Sequence, residues 1–286
     1  MAEMRGQPPE PGLAIRRILA AFGPGTLGTT ALGGAVDLAA RLGAELETLF
    51  VEDTALLELT ELPFVRQVGL SPSSGARPLR SDLELQLRAL AAEGEKRLTA
   101  LAASRQVRCS FRSVRGPMAE TVGRAAEGAD LLLLGSGSRP IAREARLDPS
   151  VRALLIRATR PVLLLRPEQP PCGPVHVLLE PGDEARRLLD VALAVAARYT
   201  AGAEVSAWGM EPDLVERLQG QLAEDTGRMH QVRLRARRRA APGGLEELMA
   251  AGAEGILVVS AASGLLGLEG WWRGVAGARC TLLLAR

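Results

Sequence analysis

Aromatic side chains make up 3% of the 286 residues: four Phe, three Trp and one Tyr. So few rings cannot fill the core, which must come from Ala, Val, Leu and Ile. Small aliphatic cores of this kind suit parallel sheets covered by helices. Lysine is nearly absent. Lys96 stands alone among 35 basic residues, and the rest are arginine. We read that skew as a mark of a GC-rich, bacterial coding sequence rather than of chemistry. Cysteine is sparse too. Cys109, Cys172 and Cys280 are odd in number, far apart and outside any CxxC spacing. They exclude a disulfide framework and read as reduced, structural thiols in a cytoplasmic protein. The two histidines, His176 and His230, have no metal-ligand neighbours, so no metal is expected. No apolar run reaches the roughly 18 residues of a membrane span, so no membrane association is expected. Net charge is only +2, which demands no acidic partner. Residues 1–12 are polar and proline-rich, without a signal-peptide core, and read as a mobile tail.

What is present is order that repeats. At 47% hydrophobic, the composition excludes a disordered chain. A strand is expected over Arg17–Phe22. Leu32, Ala35, Val36, Ala39 and Leu42 follow at helical spacing, and Leu46–Val51 reads as the next strand. Val107, Cys109 and Phe111 alternate with Arg108, Ser110 and Arg112, the pattern of a half-buried strand. A helix over Pro117–Glu127, an apolar strand Leu131–Leu134, a helix Ser150–Ala158 and a strand Pro161–Leu165 complete the first half. Asp148-Pro149 reads as a helix N-cap followed by Pro at the first helical position.

The second half repeats that order from Val175 to Leu284. Its strands are expected at Val175–Leu179, Glu204–Trp208, around Val232–Ala236, at Ile256–Val259 and at Thr281–Leu284. The proline-rich Arg166–Pro174 reads as a linker. The expected fold is therefore α/β: two tandem five-stranded parallel-sheet domains, each doubly wound. The boundaries are 13–168 for the first domain, with a long insert over 54–105, and 172–286 for a shorter second one. Within the insert, Ser71–Pro78 reads as a loop and Ser81 with Glu84 as a capping box. Leu83, Leu87, Leu90, Leu98 and Leu101 line one helix face. The two arginine-alternating strands belong at sheet edges, where charge discourages aggregation.

This order, and the segment LLLLGSGSRPIAREARLDPSVRALLIRATRPVLLL from Leu131 to Leu165, resembles a tandem universal stress protein over about Arg16 to Arg286. The resemblance implies an adenine nucleotide alpha hydrolase-like fold with strand order 3-2-1-4-5. It also implies a regulatory rather than catalytic role in the stress response. Nucleotide-binding members carry Gly-x2-Gly-x9-Gly-Ser/Thr after the fourth strand, and an Asp at the end of the first. Starting from Gly135, this chain has Ser138, Asp148 and Pro149 at the later motif positions. Asp148 puts negative charge where phosphate would sit, and Pro149 removes a hydroxyl and an amide donor. Gly23 stands where the first-strand acid is expected. The second half begins the motif with Ser260 and Ser263, and its Glu180 is the remaining acid. The site is read as degenerate and no cofactor is expected, with ATP or AMP as the alternative.

The candidate ligand-loop residues are Gly23, Gly25, Gly135, Ser136, Gly137 and Ser138, a remnant anion nest with Arg139 nearby. Gly23-Pro24-Gly25-Thr26-Leu27-Gly28 also matches GxGxxG, with Glu52-Asp53 ending the next strand as a ribose-binding acid would. That alternative is a dinucleotide-binding enzyme, against which stands an ordinary glycine-rich turn. Arg233, Arg235, Arg237, Arg238 and Arg239 form the strongest basic cluster. No aromatic interleaves with it, so a solvated edge is favoured over nucleic acid. Trp271-Trp272 reads as a contact between domains or subunits. His176 reads as a core or subunit-contact residue. The partner is left as a protein or small molecule, with an intrachain pseudo-dimer and a homodimer both open.

Overall fold

The chain was analysed as a computed structural model that describes residues 15–64, 79–135, 147–165, 174–179, 184–199, 204–208, 213, 216–217, 233–237, 255–278 and 281–286. Ten strands are described: β1 (Arg17–Phe22), β2 (Glu45–Asp53), β3 (Cys109–Gly116), β4 (Leu131–Gly135), β5 (Val162–Leu165), β6 (Val175–Leu178), β7 (Glu204–Trp208), β8 (Arg233–Arg237), β9 (Ile256–Ser260) and β10 (Thr281–Ala285). They form one sheet in the order β3-β2-β1-β4-β5-β10-β9-β6-β7-β8. Two separate sheets were expected, and this is the main correction to the fold. Every pairing is parallel except β5 with β10, where Leu164 faces Leu282 and Val162 faces Leu284 in antiparallel register. The exposed edges of two parallel sheets would each leave a row of unpaired amides, and pairing them removes both.

The helices are α1 (Thr29–Leu42), α2 (Thr54–Leu59), α3 (Arg80–Arg105), α4 (Met118–Ala125), α5 (Pro149–Arg157), α6 (Glu184–Tyr199) and α7 (Glu269–Gly277). They cover both faces. Ile18, Ala20, Phe22, Leu131 and Leu133 pack with α1 and α6 on one side. Leu19, Ala21, Leu132 and Leu134 pack with α4, α5 and α7 on the other. This is why the central strands are apolar at every position rather than alternating. α1 buries Leu32, Ala35, Val36 and Ala39, the spacing of one helical stripe. It ends at Gly43, whose φ of +62° only glycine adopts cheaply, with the Gly43 amide donating to Ala39 and Ala40. Asp148 caps α5 by accepting from the Ser150 amide, with Pro149 in the first turn.

The arginine-alternating strands β3 and β8 are the two edges of the sheet. Beside β3, Arg108, Arg112 and Arg115 pair with Glu45, Glu47 and Glu52 of β2 at 3.3, 2.7 and 2.9 Å. The expected capping box of α3 does not form. α3 begins at Arg80 with Leu79 as N-cap, which places Ser81 inside the helix, and Glu84 pairs with Arg80, Arg88 and Arg115 instead. Where α5 meets α7, Arg152 pairs with Glu269 at 2.6 Å and lies 5.2 Å from the centre of the Trp272 ring. Trp271 and Trp272 are both buried there, as a contact between the halves requires. No helix among the described residues is long and apolar enough to cross a membrane. The residues 1–12 tail, the Ser71–Pro78 loop and most of the linker lie outside the described residues.

Candidate functional site at the strand ends

Ligands of open parallel sheets bind beyond the strand C-termini, where the chain order reverses. Those places are the β1/β4 crevice and the β6/β9 crevice. At the first, the residues after β1 fold into a tight turn. The Gly23 amide donates to Thr26 Oγ1 at 2.8 Å, and Thr26 Oγ1 donates back to the Gly23 carbonyl at 3.2 Å. The Thr26 and Leu27 amides both donate to that same carbonyl, at 3.0 and 3.1 Å. Three amides of the glycine-rich segment are thus satisfied internally, and Pro24 has none to offer. A phosphate-cradling loop needs such amides aimed outward.

The turn also packs against the end of β4. A Cβ on Gly135, at the end of β4, would lie 2.9 Å from Thr26 Cβ and 3.3 Å from the Phe22 ring. Gly135 is therefore glycine because Thr26 lies over it. Gly23 and Gly25 have open space around the corresponding position. Ser136, Gly137, Ser138 and Arg139 lie outside the described residues, as does Glu180. Asp148 is held as the α5 cap, its Oδ1 2.8 Å from the Ser150 amide. In the second half, Ser260 Oγ accepts from the Ala262 amide at 3.0 Å, and Ser263 Oγ from Leu265 at 3.3 Å. Both serines that replace motif glycines serve the local turn.

The acids expected near a ribose are engaged elsewhere. Glu52 is nearly buried and accepts from Arg115 Nε and Nη2 at 3.0 and 2.9 Å and from Ser113 Oγ at 3.2 Å. The hydrogen bond to Glu52, more than any other influence, holds the Arg115 guanidinium above its ordinary pKa. Asp53 caps α2 through the Ala55 amide at 3.1 Å. Glu52 is thus tied to Arg115, and Asp53 uses one oxygen on its own helix start.

The insert is the part of this site that sequence reasoning left unassigned. α3 runs over the β1–α1 turn at Gly94, where a Cβ would come within 2.6 Å of the Leu27 side chain. Arg97 donates to Thr29 Oγ1 at 2.6 Å and to Glu93 at 2.7 Å, and that bond to Arg97 lowers the Glu93 pKa. Phe50, Leu57, Leu87 and Ala91 form a small core of their own beneath α3, with Leu27 against it. The Glu93–Arg97 spacing is legible as a helix pair, but nothing local says that Arg97 reaches α1. Among the described residues no group of three or more His, Cys, Asp and Glu is placed to hold a metal. Cys109 is half-buried and free, and burial raises its pKa.

Comparison with known proteins gives a consistent result. Residues 14–166 match the sequence profile of the universal stress protein family. The structure resembles a universal stress protein from Archaeoglobus fulgidus DSM 4304, at 12% identity and a TM-score of 0.65, over 94% of this chain and 98% of that one. A candidate universal stress protein from Pseudomonas aeruginosa UCBPP-PA14 resembles it at 19% identity and a TM-score of 0.56, over 96% and 94%. The cytoplasmic domain of a prokaryotic cation chloride cotransporter also matches, at 14% identity and a TM-score of 0.50, over 95% and 96%. These are likenesses of fold. Among curated protein sequences, none matches the chain.

Proposed function

The chain belongs to the universal stress protein family, and from that premise we propose that it is a non-catalytic stress-response regulator whose adenine-nucleotide site is degenerate. The observation that carries this reading is the β1–α1 turn. Thr26 lies over Gly135, and the Gly23, Thr26 and Leu27 amides are bonded within the turn. A nucleotide would have to displace a packed side chain and break these bonds before gaining its own. Asp148 adds a negative charge at the start of α5, where a phosphate would seek a positive one. The protein would then act by binding a protein or small molecule without turnover, in the cytoplasm as its cysteine spacing suggests.

We read the two five-strand groups as tandem copies, 13–168 and 172–286, paired within one chain as a pseudo-dimer. Their strand orders, 3-2-1-4-5 and 8-7-6-9-10, support that reading.

Titration with magnesium and ATP, AMP or NAD while following thermal unfolding tests the proposal, because a ligand of the folded state raises the transition. The expected result is no rise for any of them. A saturable rise with ATP or AMP overturns the degenerate site in favour of a nucleotide-dependent switch. A rise with NAD, or a nicotinamide or flavin absorbance in purified protein, favours a dinucleotide enzyme built on Gly23–Gly28.

A further inference from the structure

We propose that α2 and the part of α3 before Gly94 form an arm that a latch of ion pairs holds against the sheet edge and that rising ionic strength releases. α3 is one helix over two cores. Beyond Gly94, Leu98 joins the main core with Leu101 packed against it. Arg97 to Thr29 and Arg105 to Asp37 fix that part to α1. Before Gly94 the buried positions are Leu87 and Ala91, and they belong with Phe50 and Leu57 to the separate small core. Gly94 stands at the border, and glycine inside a helix is a weak point. A helical segment this short does not hold by itself. Where apolar burial is thin, a structure opens locally first.

Charge supplies what apolar burial does not. A chain of ion pairs runs Glu61–Arg80–Glu84–Arg115–Glu52, with links of 2.5, 3.4, 3.1 and 2.9 Å. Arg88 is a further partner of Glu84 at 3.6 Å. Glu52 and Arg115 belong to β2 and β3, Arg80, Glu84 and Arg88 to α3, and Glu61 follows α2. Glu84 is therefore the hub that joins the arm to the sheet. The sheet end of the chain is sheltered, with the Glu52 side chain 11% exposed, whereas Arg80 and Glu61 are 48% and 62% exposed. Salt thus reaches the links of the arm and largely spares the Glu52–Arg115 pair. A single exposed pair contributes little, but here several meet at one carboxylate above a core of few side chains. Release of the arm uncovers Phe50 and Leu57, both fully buried when it is latched. The regulator would gain an apolar surface whose exposure follows ionic strength. The inference needs no ligand at the strand ends, so it stands or falls apart from the nucleotide question.

The test is amide hydrogen exchange of the full chain at fixed pH in sodium chloride raised from about 0.05 M to about 0.5 M, with sucrose at equal osmolality as the uncharged control. Exchange at Leu87, Leu90 and Ala91 should speed up about fivefold in salt, the combined effect of screening a few surface pairs, and not in sucrose. Exchange at Leu98 and Ala102, in the same helix beyond Gly94, should not follow. Glu84→Gln removes the hub at nearly constant shape. It should speed exchange before Gly94 already at low salt and leave little further response. Glu120→Gln, which breaks the exposed pair with Arg124 on α4, should leave α3 exchange unchanged. Exchange before Gly94 that ignores salt overturns the proposal. So does an equal change on both sides of Gly94, which would mean a general effect of salt on the fold. A full salt response retained in Glu84→Gln overturns it too, because the latch would then not be these pairs.

Discussion

Gly135→Ala is the substitution that tests most directly whether the β1/β4 crevice is filled by the chain itself. The added Cβ would meet Thr26 Cβ at 2.9 Å and two Phe22 ring carbons at 3.3 and 3.4 Å. Thr26 Cβ is not the loose end of a long side chain. It is fixed by hydrogen bonds from both ends of the turn, so the turn must shift as a whole. Overpacking of this kind costs about 1–3 kcal/mol. Against it stands the lost backbone freedom of the unfolded chain, which favours Ala over Gly by roughly 0.4–1 kcal/mol. The net expectation is a destabilisation of about 1–2 kcal/mol. For a chain of this length the unfolding entropy is on the order of 0.6 kcal/mol per degree, so the transition should fall by roughly 2–3 °C.

The assay is urea unfolding by far-UV circular dichroism, supported by thermal scans. The same substitution in a Thr26→Gly background isolates the contact, because with Thr26 Cβ gone the added methyl should cost less. The cycle should give a coupling of about 1 kcal/mol. A Gly135→Ala protein as stable as the parent in both backgrounds would show that Thr26 does not lie against β4. The crevice would then be open, and the argument for a degenerate nucleotide site would lose its main support.

Three further outcomes are expected. Thr48 is fully buried in β2 and its hydroxyl lacks a hydrogen-bond partner among the described residues, so Thr48→Val should stabilise the fold by about 1 kcal/mol in urea unfolding. A Cβ on Gly255 would lie 2.0 Å from the Pro174 carbonyl oxygen, which also accepts the Ile256 amide, so Gly255→Ala should cost roughly 3 kcal/mol and weaken the pairing of β6 with β9 in hydrogen exchange. The half-buried thiol of Cys109 has a pKa raised by burial, so at neutral pH it should react with a disulfide reagent more slowly than a free thiol. In the same group the unfolded chain ionises first. Its stabilising contribution is therefore present below the ordinary thiol pKa and is lost as pH rises through the folded-state value, which a Cys109→Ala comparison at rising pH would expose.

Much of the architecture was legible because its causes are local. The apolar run Leu131–Leu134 marks a strand buried on both faces, and Asp148-Pro149 marks a helix start, whatever lies around them. The alternation of Arg108, Ser110 and Arg112 with Val107, Cys109 and Phe111 likewise points to an edge. The capping box at Ser81 and Glu84 was misread for the opposite reason. The Glu84 carboxylate is shared by Arg80 and Arg88 of its own helix and by Arg115, 31 residues away, and no window around the helix start contains Arg115. The dinucleotide pattern shows the same limit. Glycine spacing and a well-placed acid are visible in sequence, but not that Arg115 takes Glu52 or that Thr26 closes the turn.

The sequence by itself determined the strand and helix order, the aliphatic core, the two charged edges and the residues Ser138, Asp148 and Pro149 after β4. Each of these follows from residue type and short-range spacing. Only the tertiary structure decided that ten strands make one sheet through the antiparallel β5–β10 pair, and that α3 lies across the β1–α1 turn. It alone brought Arg115 to Glu84. The reason is physical: pairings across a hundred residues and the reach of a long side chain depend on where the backbone travels, which periodicity along the chain does not encode.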